Sequence, residues 1–177
     1  ITRLHVALLD PNPNENGNGI NKLKAAGIEV SMWRPEDLII KAQQLVESYS
    51  KHIITGLPFI TLKYAMSVDG KIATSTGKSK WISGERSRKE VHRLRNISGA
   101  IIVGIGTVLA DNPTLTARDE DGVNLDMQPL RVVIDTNGRI PTDAKLVNDG
   151  GSTLIACADM EPKKQKGVLV IELAINI

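Results

Sequence analysis

Four short aliphatic runs constrain the fold more than anything else in the chain: "AIIVG" at 100–104, "RVVID" at 131–135, "TLIACA" at 153–158 and "VLVIEL" at 168–173. Each is as long as a typical strand, and polar or helical sequence separates it from the next. Continuous apolar runs, unlike alternating ones, mark strands covered on both faces by helices. The expected fold class is therefore α/β, with helices on both faces of the sheet. Aromatic residues make up only 3% of the chain, which leaves Val, Ile, Leu and Ala to build the core.

The first third has a different rhythm. "RLHVALL" alternates as a strand that ends near Asp10, where "DPNPNENGNG" is saturated with turn formers. "INKLKAAG" then forms a short helix closed by Gly27, and "IEVSMW" a second strand. From Pro35 to Thr55 a single helix is expected, with Leu38, Ile39, Ala42, Leu45, Val46 and Tyr49 at three- and four-residue spacing. Gly56 and Pro58 end it, and "FITLKYAMS" opens a new strand, so the domain boundary is placed near residue 56, dividing 1–55 from 56–177. After "VLVIEL" the chain reaches "ELAINI", where another helix is expected to begin; the sequence reads as cut rather than finished.

Charge and cysteine content narrow the function classes. A net charge of +2 argues against nucleic acid or a membrane surface as the main partner. No apolar run approaches the roughly 18–20 residues needed to span a bilayer, and the start lacks signal-peptide character, so the expected compartment is the cytoplasm. The one cysteine, Cys157, lies in an apolar run and is expected to be a buried small hydrophobe. His5, His52 and His92 fit no zinc spacing, and no metal site is expected in this chain.

Two stretches carry candidate chemistry. "VGIGTVLADNP" (103–113) places Gly104 and Gly106 after a strand, with Thr107 at an expected helix start. This is either a plain structural turn or a point of close phosphate approach; it is neither a dinucleotide G-x-G-x-x-G nor a Walker loop. "SVDGKIATSTGKSKWISGERSRKEVHRLR" (67–95) combines an Asp69-Gly70 hairpin turn, returning as a strand over Lys71–Thr74, with a cationic helix. Ser83 is expected to cap that helix, which runs to about Ile97 with Val91, Leu94 and Ile97 facing the core. Arg86, Lys89, His92 and Arg93 are left mostly on other faces. A solvated cationic face is one account of them. The other is an anion held at the loop-to-helix junction, where Ser79, Trp81 and Arg95 lie on either side. Trp81 itself reads as core or as ligand-facing.

The stretch "LKYAMSVDGKIATSTGKSKWISGERSRKEVHRLRNISGAIIVGIGTVLADNPTLTAR" resembles the reductase domain of the bifunctional riboflavin-biosynthesis deaminase/reductases, with S-x-D-G-x-x-A, G-x-S-x-W-I, H-x-L-R and T-V-x-x-D-x-P-x-L-T-x-R. "DPNPNENGNGINKLKAAGIEV" is similar to the end of the family's zinc-dependent deaminase domain. The resemblance implies a dihydrofolate-reductase-like α/β domain, incomplete here, preceded by the C-terminal edge of a cytidine-deaminase-like α/β domain. It implies that NADPH reduces the ribose of 5-amino-6-(5-phosphoribosylamino)uracil to a ribityl chain, and that the protein is a homo-oligomer acting on a small molecule. Carried over by position, it assigns substrate binding to Ser79, Arg95, Leu115 and Arg118. It assigns NADPH binding to Ala65, Trp81, Thr107, Asp111 and Thr136, and a catalytic or orienting role to Lys63. The deaminase's zinc signature, H-x-E followed by P-C-x-x-C, and the reductase's later Glu-Gly-Gly-type loop are absent from this sequence, so a piece of a longer bifunctional chain is expected, with zinc confined to its deaminase part. Two other readings stand beside it: a non-catalytic module whose basic helix holds a polyanion, and a pteridine reductase of the same fold. The paired arginines, suited to a sugar phosphate, weigh against the second.

Overall fold

The computed structural model describes residues 1–32, 35–158 and 168–172. The chain forms two compact units, Ile1–Tyr64 and Ala65–Ile177.

In the first unit, β1 (Arg3–Val6) pairs in parallel with β2 (Glu29–Met32), and α1 (Asn18–Ala25) connects them. Residues opposite each other in the ladder also pair through their side chains: Arg3 Nε donates to Glu29 at 2.9 Å, and His5 Nδ1 lies 2.7 Å from Ser31 Oγ. Helix α1 ends as the sequence predicts. Gly27 takes a φ of +80°, its N–H bonds Lys24 O at 3.0 Å, and Ile28 N–H bonds Leu23 O at 3.0 Å, which is the Schellman arrangement.

The single helix expected from Pro35 to Thr55 is two helices, α2 (Glu36–Leu45) and α3 (Glu47–Thr55). Val46 leaves helical geometry at φ −109°, ψ 10°, and its N–H bonds back three residues to Gln43 O at 3.2 Å, a tightened last turn that stops α2. Tyr49, on α3, donates its hydroxyl to Asp10 Oδ1 at 3.0 Å, and that hydrogen bond to a carboxylate raises the phenol above its ordinary range. Gly56 ends α3 in the left-handed conformation at φ +71°.

The expected strand "FITLKYAMS" is not a strand. Ile60, Leu62, Tyr64 and Met66 are all exposed, and no ladder partner lies beside them among the described residues. An extended segment without a neighbour to take its N–H and C=O groups has nothing to hold it as sheet. The Asp69-Gly70 turn forms, with Gly70 at φ +77° and Ser67 N–H bonded to Lys71 O at 2.9 Å. Lys71–Thr74 does not continue as a strand; a second turn follows at once, with Thr74 N–H bonded to Lys78 O at 2.9 Å.

The second unit is built on a four-stranded sheet, ordered β3-β4-β5-β6 and parallel throughout: β3 (Ala100–Gly104), β4 (Leu130–Ile134), β5 (Thr153–Cys157) and β6 (Val168–Glu172). All four aliphatic runs are strands in sequential order. Val103, Val133, Ile155 and Val170 stand in one cross-strand row and meet Ile105 and Val108 of α5 (Ile105–Asp111) and Leu146 and Val147 of α6 (Lys145–Asn148). The alternate row, Ile102, Val132, Leu154 and Leu169, points to the other face, where Ile102 is 66% exposed and Leu169 59%. Among the described residues the sheet is therefore covered on one face, not two as the continuous runs predict. Such runs record burial of both faces, and α5 and α6 supply one of the two coverings. Cys157 is buried in β5, as its apolar run predicts, with Sγ 3.5 Å from Ile171 O. The expected helix at "ELAINI" lies outside the described residues.

Candidate anion-binding site

The chain leaves α5 at Asn112, which adopts a left-handed conformation at φ 42° and accepts the Lys145 N–H on its side-chain oxygen at 2.9 Å. Three residues on, Leu115 is left-handed too, at φ 55°, although only 5% exposed. A γ-branched residue is held there at a cost of about 1 kcal/mol or more, and such strain persists only where surrounding contacts over-determine the backbone. Here three arginines and a histidine supply those contacts. Arg131 Nη1 donates to Thr114 O at 3.0 Å. His92 Nδ1 lies 3.1 Å from Thr116 O, and Arg95 Nη1 donates to the same oxygen at 3.1 Å. Arg118 folds back, donating Nε to Thr116 Oγ1 at 3.1 Å and Nη2 to Thr114 Oγ1 at 3.3 Å.

Arg95 and His92 come from α4 (Glu85–Ile97), on which Arg88, His92 and Arg95 follow i, i+4, i+7 along one stripe. The helix begins on Gly84 without a side-chain cap, so Ser83 is not its cap; instead Ser83 O accepts Arg88 Nη1 at 2.7 Å. Ile97, expected in the core, is 66% exposed, while His92, expected on an outer face, is half-buried against Thr116. The spacing His92–Arg95, three residues apart and hence on one face, is the signal that could have found His92. Arg86, Lys89 and Arg93 are exposed; Lys89 and Arg93 pair with Glu85 and Glu90 on their own helix.

The electrostatics are those of a site without a counterion. Among the described residues no carboxylate oxygen comes within 4.0 Å of Arg95 or Arg118. Burial, and then the neighbouring Arg118 charge, lower the Arg95 pKa from its usual range. His92 is likewise held below its ordinary 6.5, first by burial and then by Arg95, so it is neutral at pH 7. Two neighbouring guanidiniums that meet no acid among the described residues form a candidate place for an anion.

Gln128 closes the segment that follows. Its amide takes the Ala117 N–H on Oε1 at 2.8 Å and donates Nε2 to Ala117 O at 2.9 Å, so one side chain does for Ala117 what a neighbouring strand would. Gln128 was not anticipated from the sequence, which carries no signal for a side chain in that role.

Of the expected substrate positions, Arg95, Leu115 and Arg118 are gathered on this stretch; Ser79 is half-buried in the loop before α4. Of the expected cofactor positions, Thr107 and Asp111 are exposed on α5, just past the carboxyl end of β3, and Thr136 is exposed just past that of β4. These are adjacent parallel strands, so Thr107 and Thr136 share one edge of the sheet. Helix α5 starts at Ile105, two residues before the expected Thr107. A Cβ at Gly104 or Gly106 would meet nothing within 4 Å, so the turn between β3 and α5 opens onto free space. Trp81 is 72% exposed and thus not core; the Arg88 guanidinium lies over its ring, 4.4 Å from the centroid. Ala65 is half-buried at the start of the second unit, and Lys63 is exposed in the first. Among the described residues no three His, Cys, Asp or Glu side chains gather as metal ligands, and no helix is long and apolar enough to cross a membrane.

An α/β protein with a parallel sheet and an uncompensated arginine pair beside it is the class these features define. The RibD C-terminal domain matches residues 58–176. The riboflavin biosynthesis protein RibD of Aquifex aeolicus is 41% identical over 178 residues, covering 98% of this chain and 48% of that protein, and RibD of Bacillus amyloliquefaciens is 44% identical over 152 residues, covering 86% and 39%. A crystal structure of a Thermotoga maritima diaminohydroxyphosphoribosylaminopyrimidine deaminase/5-amino-6-(5-phosphoribosylamino)uracil reductase superposes with a TM-score of 0.82 at 34% identity, covering 98% of this chain and 48% of that one. The Saccharomyces cerevisiae riboflavin biosynthesis reductase Rib7 shares the fold, at a TM-score of 0.51 and 24% identity over 77% of this chain and 59% of that one. The chain belongs to the RibD family, in its C-terminal, reductase domain. It spans about half the length of the relatives it matches.

Proposed function

We propose that this chain supplies the reductase site of a riboflavin-pathway enzyme, and that its substrate is 5-amino-6-(5-phosphoribosylamino)uracil. The observation that carries the reading is the pair Arg95 and Arg118, fixed on Thr116 with no acid beside them among the described residues. A sugar phosphate brings the charge that such a pair lacks, and bidentate guanidiniums suit its oxygens. The reaction named for the Thermotoga relative, 34% identical over nearly all of this chain, is the second support.

In this reading Arg95, Arg118 and the Leu115 backbone hold the phosphorylated ribose, and Ser79 completes the hold from the loop before α4. Thr107, Asp111 and Thr136 line the carboxyl edge of β3 and β4 as the cofactor side, with Ala65 and Trp81 belonging to the same side. The open turn at Gly104 and Gly106 fits the close approach of a dinucleotide's phosphates. A hydride added to C1′ as the C1′–O4′ bond breaks, with a proton going to O4′, turns the ribosyl ring into a ribityl chain; that hydride is what NADPH supplies when bound. The residues named here bind and align, which is most of what a hydride transfer asks of a protein. Lys63 is the orienting candidate for the reacting sugar. The whole protein is read as a cytoplasmic homo-oligomer that also carries a zinc-dependent deaminase.

The test is loss of nicotinamide absorbance when the full-length protein is mixed with NADPH and the ribosylaminouracil phosphate. Turnover that needs both compounds is expected. Binding of double-stranded DNA or heparin without any NADPH oxidation would instead favour the polyanion module.

A further inference from the structure

Among the described residues, Thr116 is the one that touches both guanidiniums of the anion site. Its carbonyl accepts Arg95 Nη1 at 3.1 Å, and its hydroxyl accepts Arg118 Nε at 3.1 Å. Only 9% of Thr116 is exposed, so these bonds are formed away from bulk water. His92 Nδ1 reaches the same carbonyl at 3.1 Å. Thr114 holds the outer end of Arg118, through Nη2 at 3.3 Å, while its own carbonyl is tied to the buried Arg131. Arg118 thus has Nε and Nη2 committed to two hydroxyls, which leaves Nη1 without a partner among the described residues.

Two like charges on long side chains separate unless something holds them, and holding them in advance removes from binding the cost of bringing them together. Among the described residues no acid does so, and an acid would neutralise the site. Hydroxyl and carbonyl oxygens orient guanidiniums and leave their charge intact.

We propose that Thr116 is a positioning residue for the substrate's phosphate: through its hydroxyl and carbonyl it presets Arg118 and Arg95 as one two-pronged anion clamp. This rests on the reductase reading above. The hydroxyl touches Arg118 and, at 3.3 Å, the Thr114 hydroxyl that holds the other end of the same guanidinium, so its contribution to substrate binding should vanish when Arg118 is gone.

Steady-state kinetics of the full-length protein test it. Thr116→Val keeps the shape and removes the hydroxyl; the KM for the ribosylaminouracil phosphate is expected to rise about tenfold, with kcat and the KM for NADPH changed less than about twofold. Thr116→Ser restores the wild-type KM. Arg118→Met raises that KM further, and adding Thr116→Val to Arg118→Met raises it no more. An unchanged substrate KM in Thr116→Val, a parallel loss on both substrates together with a lowered Tm, or full additivity in the double variant would each overturn the proposal while leaving the reductase reading intact. If Thr116→Val does not fold, Thr114→Val, which removes the other hydroxyl on Arg118, carries the same expectation and the same cancellation in the Arg118→Met background. A wild-type protein that never oxidises NADPH with this substrate removes the reductase reading, and the proposal with it.

Discussion

Arg131 and the Arg95–Arg118 pair flank the same stretch of backbone, Thr114–Arg118, and they are built in opposite ways. Arg131 has a side chain only 4% exposed and carries its own acid: Nη1 and Nη2 meet the two oxygens of Asp149 at 2.6 and 2.8 Å, and the pair closes on Thr114 O and Ser152 O. Among the described residues, Arg95 and Arg118 meet only neutral oxygens and each other. A guanidinium that serves the fold is neutralised where it sits; a guanidinium kept for a ligand is oriented and left charged. Removing the acid in the first region and the cation in the second should thus have opposite consequences.

The largest effect is expected at the neutralised site. Asp149→Asn leaves Arg131 buried without a counterion and should cost about 2–4 kcal/mol, somewhat under the usual range for breaking a buried pair because the Asp149 side chain is 28% exposed. Denaturant unfolding measures it. The hydrogen bond from Arg131 holds the Asp149 pKa below its ordinary 3.8, so the stabilisation is complete above that value and is lost as pH falls through the depressed one; in the Asp149→Asn variant that acid limb should be missing.

Next is Arg95→Gln. Substrate KM should rise about 10- to 100-fold, the worth of a charged hydrogen bond of roughly 1.5–3 kcal/mol, while stability should fall far less than in Asp149→Asn, because the lost bond to Thr116 O is offset by relief of a repulsion. A loss of stability comparable to that of Asp149→Asn would erase the distinction between the two regions. Gly151→Ala sharpens it from the other side. A Cβ there would stand 2.6 Å from Arg131 Nη2, which Asp149 prevents from moving away, so a loss of about 1–3 kcal/mol is expected with substrate KM little changed. The smallest effect concerns His92. Its pKa is held below 6.5, so the unfolded chain binds more protons between that depressed value and 6.5, and stability should rise with pH across the window and be complete above it. Comparing Tm from about pH 5 to 8 in wild type and His92→Gln would show whether that slope belongs to His92.

The sequence revealed the sheet more fully than the site. The runs at 100, 131, 153 and 168 are strands, short and rich in β-branched residues as buried parallel strands are. Arg95 stands out at the loop-to-helix junction, but Leu115 and Arg118 could be named only through a family resemblance, since nothing in their spacing shows that Leu115 turns left-handed and brings Thr114 and Thr116 onto one guanidinium. Periodicity misassigned what depends on partners. Ile97 fits a helical stripe and is exposed, "FITLKYAMS" has strand composition without a ladder among the described residues, and Val46 interrupts an apolar pattern that runs on through it. His92 and Gln128 act through hydrogen bonds to backbone atoms 24 and 11 residues away, a distance at which local pattern is silent.

The Gln128 clasp on Ala117 has a consequence for how this surface can change. Between them the chain makes a turn at Asp119–Gly122, held by Asp119 Oδ1 on the N–H groups of Asp121 and Val123. The amide, the Leu125 N–H bond to Ala117 O and the Arg118–Asn124 bridge together close the base of that excursion, so its length is uncoupled from the clamp beyond it, and doubling a flexible loop costs only about 0.6 kcal/mol in closure entropy. Extra residues placed between Glu120 and Asp121 should be carried with little change in substrate KM, and less well after Gln128→Ala; the tip is where this domain has room to acquire new sequence.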